Sequence, residues 1–316
     1  MTDQMKAAFF EEFGDPVQIQ TGELDKPKPG EGEVLIKVEA AGVNPVDAAV
    51  AKGMLNEFIP ANFPAIPGWD IAGTVEQIGH SARRFKEGDK VYAYARRPQI
   101  KHGTFAEYIS LPESYIAKRS EKLSAEEAGG IPLVGLTAYQ ALFDAGKLKQ
   151  GETLLILGAS GGVGSMAIQL AKWRGAKVIA VAGSSNQKYM QKLGADTTFD
   201  YSEGNVGTAV KKSAPNGVNM IFHCSRGDSL KQSSDTLKEN GRLISITNSK
   251  PDRRDDVYFE YVFVEPNAVQ LEHLTKLADE GNLSVHVSKT YSLDEAAEAL
   301  REIEKLHTRG KIVITP

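Results

Sequence analysis

Residues 153–174 read TLLILGASGGVGSMAIQLAKWR, and this stretch constrains the fold most. Four apolar residues, Leu154 to Leu157, run into a turn made mostly of glycine. Helical spacing follows from Val163 to about Arg174. A strand, a tight turn and a helix in this order predict the opening unit of a parallel sheet. The pattern then repeats. KVIAVA (177–182) precedes a helix over Gln187–Leu193 that Gly194 stops. NMIFHC (219–224) precedes a helix expected to reach about Lys238. RLISIT (242–247) and YFEYVFV (258–264) follow as strands. Such alternation predicts a doubly wound sheet with helices on both faces.

The turn itself, Ala159-Ser160-Gly161-Gly162-Val163-Gly164, is G-x-G-x-x-G with alanine in the first position. Gly161 lets a pyrophosphate approach the backbone with no Cβ in the way. Gly164 lets the helix lie close to the strand. The first N–H groups of that helix have no internal partner and face the anion. In NAD-selective sheets an acid about 20 residues further on takes the ribose 2′-hydroxyl. Here that place falls to Ala182, followed by Gly183, Ser184 and Ser185, with Lys188 one turn later. A small neutral residue with two hydroxyls and an ammonium nearby suits a 2′-phosphate, which points to NADPH.

Residues 5–120 have a different texture. EVLIKVEAAGV (33–43), IAGTVEQIG (71–79), DKVYAY (89–94) and TFAEYISL (104–111) read as strands separated by Gly- and Pro-rich turns, with a helix around 45–53. Ser124-x-x-Glu127 fits a capping box, and helical text follows over 135–146. Beyond the alternating region, Asn267-x-x-Gln270 opens a helix with Leu271, Leu274 and Leu277 on one face. A strand-like stretch near 283–290 leads to Ser292-x-x-Glu295, which caps a helix striped with Ala296, Ala297, Leu300 and Ile303. KIVITP closes the chain as a strand expected to pack on the β-rich N-terminal part.

Composition excludes several classes. The chain has 316 residues, 41% hydrophobic and 25% charged, with a net charge of −4 at pH 7. This balance favours neither nucleic acid nor an anionic membrane as a partner. There is no run of 18 apolar residues, and acids stand in the N-terminal stretch where a signal peptide would be apolar, so the expected compartment is the cytoplasm. Cys224 is the only cysteine, which rules out an intrachain disulfide and a four-thiolate zinc site.

In order and spacing, GVNPVD (42–47), PGWDIAGTV (67–75), GDKVYA (88–93), GTFAEY (103–108), GLTAYQAL (135–142), GASGGVG (158–164), LGAD (193–196) and HTRGKIVI (307–314) resemble the zinc-independent quinone oxidoreductase branch of the medium-chain dehydrogenase/reductase superfamily. The resemblance covers nearly the whole chain. It implies an α/β protein with a GroES-like β-rich catalytic domain, residues 1–125 and 265–316, and a Rossmann NADPH-binding domain, residues 126–264. It implies that Ser160, Gly161, Gly162, Val163 and Gly164 meet the pyrophosphate, and that Ser184, Lys188 and Tyr201 surround the 2′-phosphate. Asn44 and Thr137 would stand near the nicotinamide as catalytic residues, with Phe263 and Val264 beside it. Zinc-dependent members carry a Cys at the position of Asn44, His-Glu at Trp69-Asp70 and a further Cys near Leu133 or Val134, so no metal is expected.

Without a metal Lewis acid, reducing a conjugated acceptor is easier than oxidising an alcohol. NADPH-dependent reduction of quinones or α,β-unsaturated carbonyls is therefore the expected activity. A 2-enoyl-thioester reductase and a non-catalytic NADPH-binding sensor or partner-binding protein are the alternatives, the first of them requiring basic residues such as Arg96, Arg97 or Lys101 for a carrier's phosphates. Some relatives carry a tyrosine where this chain has Ala49. Tyr92, Tyr94 and Tyr139 remain as candidate proton donors. Strand 258–264 pairs with its twin in relatives, which implies a homodimer.

Overall fold

The structure, a computed structural model, describes residues 3–15 and 18–316. By its internal contacts the chain divides into two units. One comprises the N-terminal part through Leu133 together with Glu265–Pro316, and the other is Val134–Val264.

Strands dominate the first unit. β1 (Gln4–Phe9) and β2 (Gln20–Asp25) form an antiparallel pair. β3 (Glu33–Val43), β4 (Asp70–Ile78), β5 (Lys90–Tyr94), β6 (Tyr108–Pro112) and β7 (Ile116–Lys118) build a sheet that two later strands complete. These are β14 (Val287–Ser292) and β15 (Lys311–Thr315), giving the order β14-β15-β3-β4-β5-β7, with β6 on β3. The C-terminal strand thus pairs antiparallel with β3, Ile312 opposite Val43.

Helices α1 (Pro45–Ala51), α2 (Ala125–Gly129), α8 (Ala268–Asp279) and α9 (Ala296–Glu304) cover this sheet. Their starts follow the capping signals. Ser124 Oγ accepts the Glu127 N–H at 3.2 Å and Glu127 accepts the Ser124 N–H at 2.9 Å. Asn267 Oδ1 accepts the Gln270 N–H at 3.0 Å, and Glu295 accepts the Ser292 N–H at 2.8 Å. By internal contacts the first unit runs through Leu133, and α2 packs on its sheet. A Cβ on Gly129 would come within 2.9 Å of the Ala40 carbonyl, and one on Gly42 within 2.5 Å of the Gly129 carbonyl.

The second unit is a six-stranded parallel sheet in the order β10-β9-β8-β11-β12-β13. Its strands are β8 (Thr153–Leu157), β9 (Lys177–Ala182), β10 (Thr197–Asp200), β11 (Val218–His223), β12 (Leu237–Ser245) and β13 (Tyr258–Tyr261). Helix α3 (Pro132–Tyr139), which continues as a π-helical turn over Gln140–Ala145, leads into the sheet, and α4 (Gly162–Trp173), α5 (Gln187–Lys192), α6 (Val206–Ser213) and α7 (Ser229–Ser233) connect its strands. Leu154 to Leu157 are all fully buried, which is why β8 is apolar throughout rather than alternating. Strand order reverses between β8 and β11, and every strand ends on the same edge.

Two expectations shift here. The helix before Lys238 ends at Ser233, since Leu237 already pairs with Val218 in the sheet. The strand from Tyr258 ends at Tyr261, because its partner β12 ends at Ser245. The close fit of α4 on β8 depends on Gly164, where a Cβ would lie 2.3 Å from the Gly158 carbonyl oxygen and 2.6 Å from Ala159 Cα. Gly164→Ala should therefore lower stability in urea denaturation by about 1–3 kcal/mol, the usual cost of overpacking. An unchanged denaturation midpoint would mean that the helix can move off the strand freely.

Candidate functional site

Because all strands of the second unit are parallel, their carboxyl ends gather the sequence-predicted cofactor residues along one edge. The turn 158–164 follows β8, Ser184 and Lys188 follow β9, Tyr201 follows β10, and Phe263 and Val264 follow β13. Gly158 has a left-handed backbone, φ +86°, and turns the chain sharply. At Gly161 a Cβ would meet only the Gly158 carbonyl oxygen, at 3.8 Å, so the space in front of the backbone is open. Gly161 is the N-cap of the 12-residue helix α4 and supplies no side-chain cap. The first α4 N–H groups thus remain available to an anion. These residues fit the pyrophosphate of a dinucleotide.

The β9–β10 side is equally well assembled. A Cβ on Gly183 would lie 3.3 Å from the Tyr201 hydroxyl oxygen, so residues 18 apart in sequence meet there. Ser184 and Lys188 are exposed on the same turn. Gln187 Nε2 donates to the Ala182 carbonyl at 3.0 Å and holds the turn in shape. Thr137 is buried within α3, Val264 is buried, and Phe263 is 40% exposed.

Asn44 belongs to the first unit, where it forms a buried cluster with Asp47, Asp70 and Lys311. Lys311 Nζ donates to the Asn44 Oδ1 at 2.5 Å and the Val43 carbonyl at 2.9 Å, and lies 3.4 Å from Asp70 Oδ2. Asn44 Nδ2 donates to Asp70 Oδ2 at 2.8 Å, with a longer 3.4 Å contact to the Gly42 carbonyl. The Leu133 N–H donates to Asp70 Oδ1 at 2.6 Å. Asp47 Oδ2 accepts the Asn44 N–H at 2.7 Å, whereas its Oδ1 has no partner. Sequence reasoning missed Lys311, which reads there only as the first residue of a strand.

This donor set does not fit a divalent cation. The Asn44 amide is engaged at both ends, Trp69 packs edge-on against Tyr94 with ring centroids 6.1 Å apart, and an ammonium already stands beside Asn44 and Asp70. Among the described residues no three of His, Cys, Asp and Glu gather as a metal site. Two carboxyls share one ammonium, and the proton falls on Asp47. Burial raises the Asp70 pKa, opposed by the ammonium, the Asn44 amide and the Leu133 N–H. Burial pushes Asp47 up to about 8, opposed by the Asn44 N–H and reinforced by the charge of Asp70.

Arg96 pairs with Glu265, and Arg97 pairs with Glu33 at 2.8 Å, so these guanidiniums are already committed to carboxylates. Tyr92 is tied to the Leu271 carbonyl at 2.6 Å, and burial raises its pKa. Cys224 follows β11, and burial raises its thiol well above the usual range.

The two-part architecture, the glycine turn and the six-stranded order define a nucleotide-dependent dehydrogenase-type protein. Family comparison specifies it further. The family described as "Alcohol dehydrogenase GroES-like domain" matches residues 30–121, and that described as "Zinc-binding dehydrogenase" matches 193–314. The chain is 33% identical to a chloroplast envelope quinone oxidoreductase homolog of Arabidopsis thaliana, over 96% of this chain and 95% of that one. It is 29% identical to an NADPH-dependent alkenal/one oxidoreductase of the same plant, over 99% of this chain and 80% of that one. The solved quinone oxidoreductase from Coxiella burnetii is 32% identical, covers 99% of this chain and 100% of its own, and superposes with a TM-score of 0.89. The chain belongs to the zinc-independent quinone oxidoreductase branch of the medium-chain dehydrogenase/reductase superfamily.

The buried carboxyl carries a testable consequence. Folded Asp47 keeps a proton that the unfolded chain releases near its ordinary value of 3.8. Its contribution to stability is complete below that value and is lost as pH rises to about 8. Asp47→Asn keeps an acceptor for the Asn44 N–H and removes the titration. Urea denaturation at pH 5, 7 and 9 should show wild-type stability falling more steeply with pH than that of the variant. Parallel pH profiles would show that Asp47 is not the proton holder.

Proposed function

We propose that this protein is an NADPH-dependent reductase that transfers hydride to quinones or α,β-unsaturated carbonyls without zinc. The glycine turn carries this reading, with backbone open at Gly161 and a helix packed tightly through Gly164. The cofactor, when bound, supplies the hydride. The chain's own residues bind and orient it: 160–164 through backbone N–H groups, Ser184, Lys188 and Tyr201 around the 2′-phosphate. Ala182 places no acid against that phosphate. Asn44 and Thr137 serve the nicotinamide end, with Phe263 and Val264 beside it. Asn44 is presented rigidly, because Lys311 and Asp70 fix both ends of its amide. The names of the plant relatives support both the cofactor and the substrate class. The commitment of Arg96 and Arg97 to Glu265 and Glu33 favours a small acceptor over a carrier-bound thioester.

We also propose a homodimer formed through β13. This strand ends the sheet, and Tyr258 and Tyr261 on it are 51% and 41% exposed. A bare aromatic edge of this kind is an association surface. Light scattering should give twice the 34.2 kDa chain mass, and Tyr258→Lys with Tyr261→Lys should give monomer. A monomeric wild type at micromolar concentration would rule the dimer out.

The activity is tested by following NADPH oxidation with simple quinones and enones, alongside fluorescence titration of NADPH and NADH. Wild-type protein should bind NADPH more tightly, and Lys188→Ala should weaken NADPH by roughly tenfold to a hundredfold, the cost of one charge-assisted contact. Gly161→Val should abolish binding and turnover while the cofactor-free protein melts unchanged, since the fold has room for the side chain. Equal affinity for both cofactors, or NADPH oxidation no faster than in buffer, would sink the reading.

A further inference from the structure

The carboxyl ends of β11 and β12 hold polar side chains that the pyrophosphate turn does not use. His223 pairs in register with Ser245, so both side chains leave one face of the sheet at its edge. His223 is 4% exposed and Ser245 fully buried. His223 Nδ1 lies 3.1 Å from Ser245 Oγ and 3.3 Å from Thr247 Oγ1. Ser245 Oγ also accepts the N–H groups of Thr247 at 3.3 Å and Asn248 at 3.0 Å. Thr247 Oγ1 donates to the Ser225 carbonyl at 3.0 Å.

Counting hydrogens assigns the tautomer of the ring. A hydroxyl has one proton and two lone pairs. Both lone pairs of Ser245 are taken by backbone N–H groups, so its proton goes to His223 Nδ1. Thr247 has its own proton on the Ser225 carbonyl. This count places the imidazole proton on Nε2, with the Ser225 carbonyl as the competing acceptor on the Nδ1 side. The opposite tautomer would leave the Ser245 proton buried with no acceptor. Burial lowers the His223 pKa, with the Ser225 backbone pulling the other way, and the ring is neutral at pH 7. The Nε2–H has no hydrogen-bond partner, and neither does the Ser225 hydroxyl. Ser225 abuts the glycine turn, since a Cβ on Gly158 would come within 3.0 Å of Ser225 Cβ.

Buried polar atoms are nearly always paired, so two orphans beside an open anion cradle need an explanation. We propose that His223 Nε2–H, with the Ser225 hydroxyl, is a cofactor-positioning donor that takes an oxygen on the nicotinamide half of the dinucleotide. This inference rests on the nicotinamide-dinucleotide reading and deepens it. In a sheet of this order the two halves of a dinucleotide lie on opposite sides of the point where strand order reverses. Ser184, Lys188 and Tyr201 claim the adenosine half on the β9–β10 side, which leaves β11 and β12 for the other. A neutral ring suits an uncharged hydroxyl or carboxamide oxygen, whereas a phosphate would favour a cationic one. The ring is already locked by Ser245, so little freedom is lost when the acceptor arrives.

The experiment titrates NADPH and 2′,5′-ADP, which is the adenosine half alone, into wild-type protein and His223→Phe by calorimetry. The variant should bind NADPH about tenfold more weakly and 2′,5′-ADP within about twofold of wild type, as one hydrogen bond is lost. Unchanged NADPH affinity overturns the proposal. So does an equal loss for both ligands, which marks a damaged sheet edge rather than a lost contact. Should His223→Phe not fold, ¹⁵N-histidine NMR of the wild type decides. The His223 signal should report the Nε2–H tautomer and should shift with NADPH but not with 2′,5′-ADP. An Nδ1–H tautomer, or a signal that NADPH leaves in place, rejects the role. If wild-type protein binds neither ligand, the cofactor reading itself falls and this proposal with it. Binding that leaves His223 silent removes the proposal alone.

Discussion

The approach of helix α4 to the end of β8 is the constraint on which the rest of the second unit depends. Gly164 sits so close to the Gly158 carbonyl that no side chain can intervene. That contact fixes the helix axis over the sheet edge and aims its unpaired N–H groups at the space in front of Gly161. It also explains the conformation of Gly158, whose left-handed φ turns the chain back immediately after the strand. The same residue brings the turn against Cys224 and Ser225 at the end of β11. One steric requirement thus sets the anion cradle and the spacing of the neighbouring strand ends.

In the first unit an electrostatic requirement has the comparable role. Lys311 is fully enclosed, and an enclosed ammonium is stable only when paired and hydrogen-bonded. Its partners come from β3, the loop before α1 and the start of β4, so the C-terminal strand must return to the N-terminal sheet. Removing Lys311 or Asp70 would leave its partner's charge uncompensated. The cluster is therefore a register device as much as a source of stability, because Lys311 reaches Asp70 only when Ile312 lies opposite Val43.

What the sequence made legible follows from how local each signal is. The strand–turn–helix at 153–174 and the capping residues Ser124, Asn267 and Ser292 act within a few positions, and each was readable from composition and spacing. The cluster of Asn44, Asp47, Asp70 and Lys311 was not, because its members lie up to 267 positions apart. Lys311 is one basic residue among 37 until the fold encloses it. The helix expected to run to Lys238 shows the same limit from the other direction. Leu237 is taken into the sheet by Val218, and tertiary pairing overrides a helical pattern. His223 also looked ordinary, since its meaning depends on a hydroxyl 22 residues away.

The two polar clusters differ in a way that bears on chemistry. Around Asn44 the polar atoms are almost all satisfied by one another, and the single cation of that group is neutralised by Asp70. Little positive charge is left there to stabilise an oxygen on which negative charge develops. Along the sheet edge the reverse holds, because the first α4 N–H groups have no partner within the helix and His223 Nε2–H and the Ser225 hydroxyl have none at all. A site furnished with neutral donors can orient a cofactor. It is poorly suited to ionising an unactivated alcohol, which needs a strong local cation. The distribution of satisfied and unsatisfied donors in this chain therefore favours hydride transfer to conjugated acceptors over alcohol oxidation.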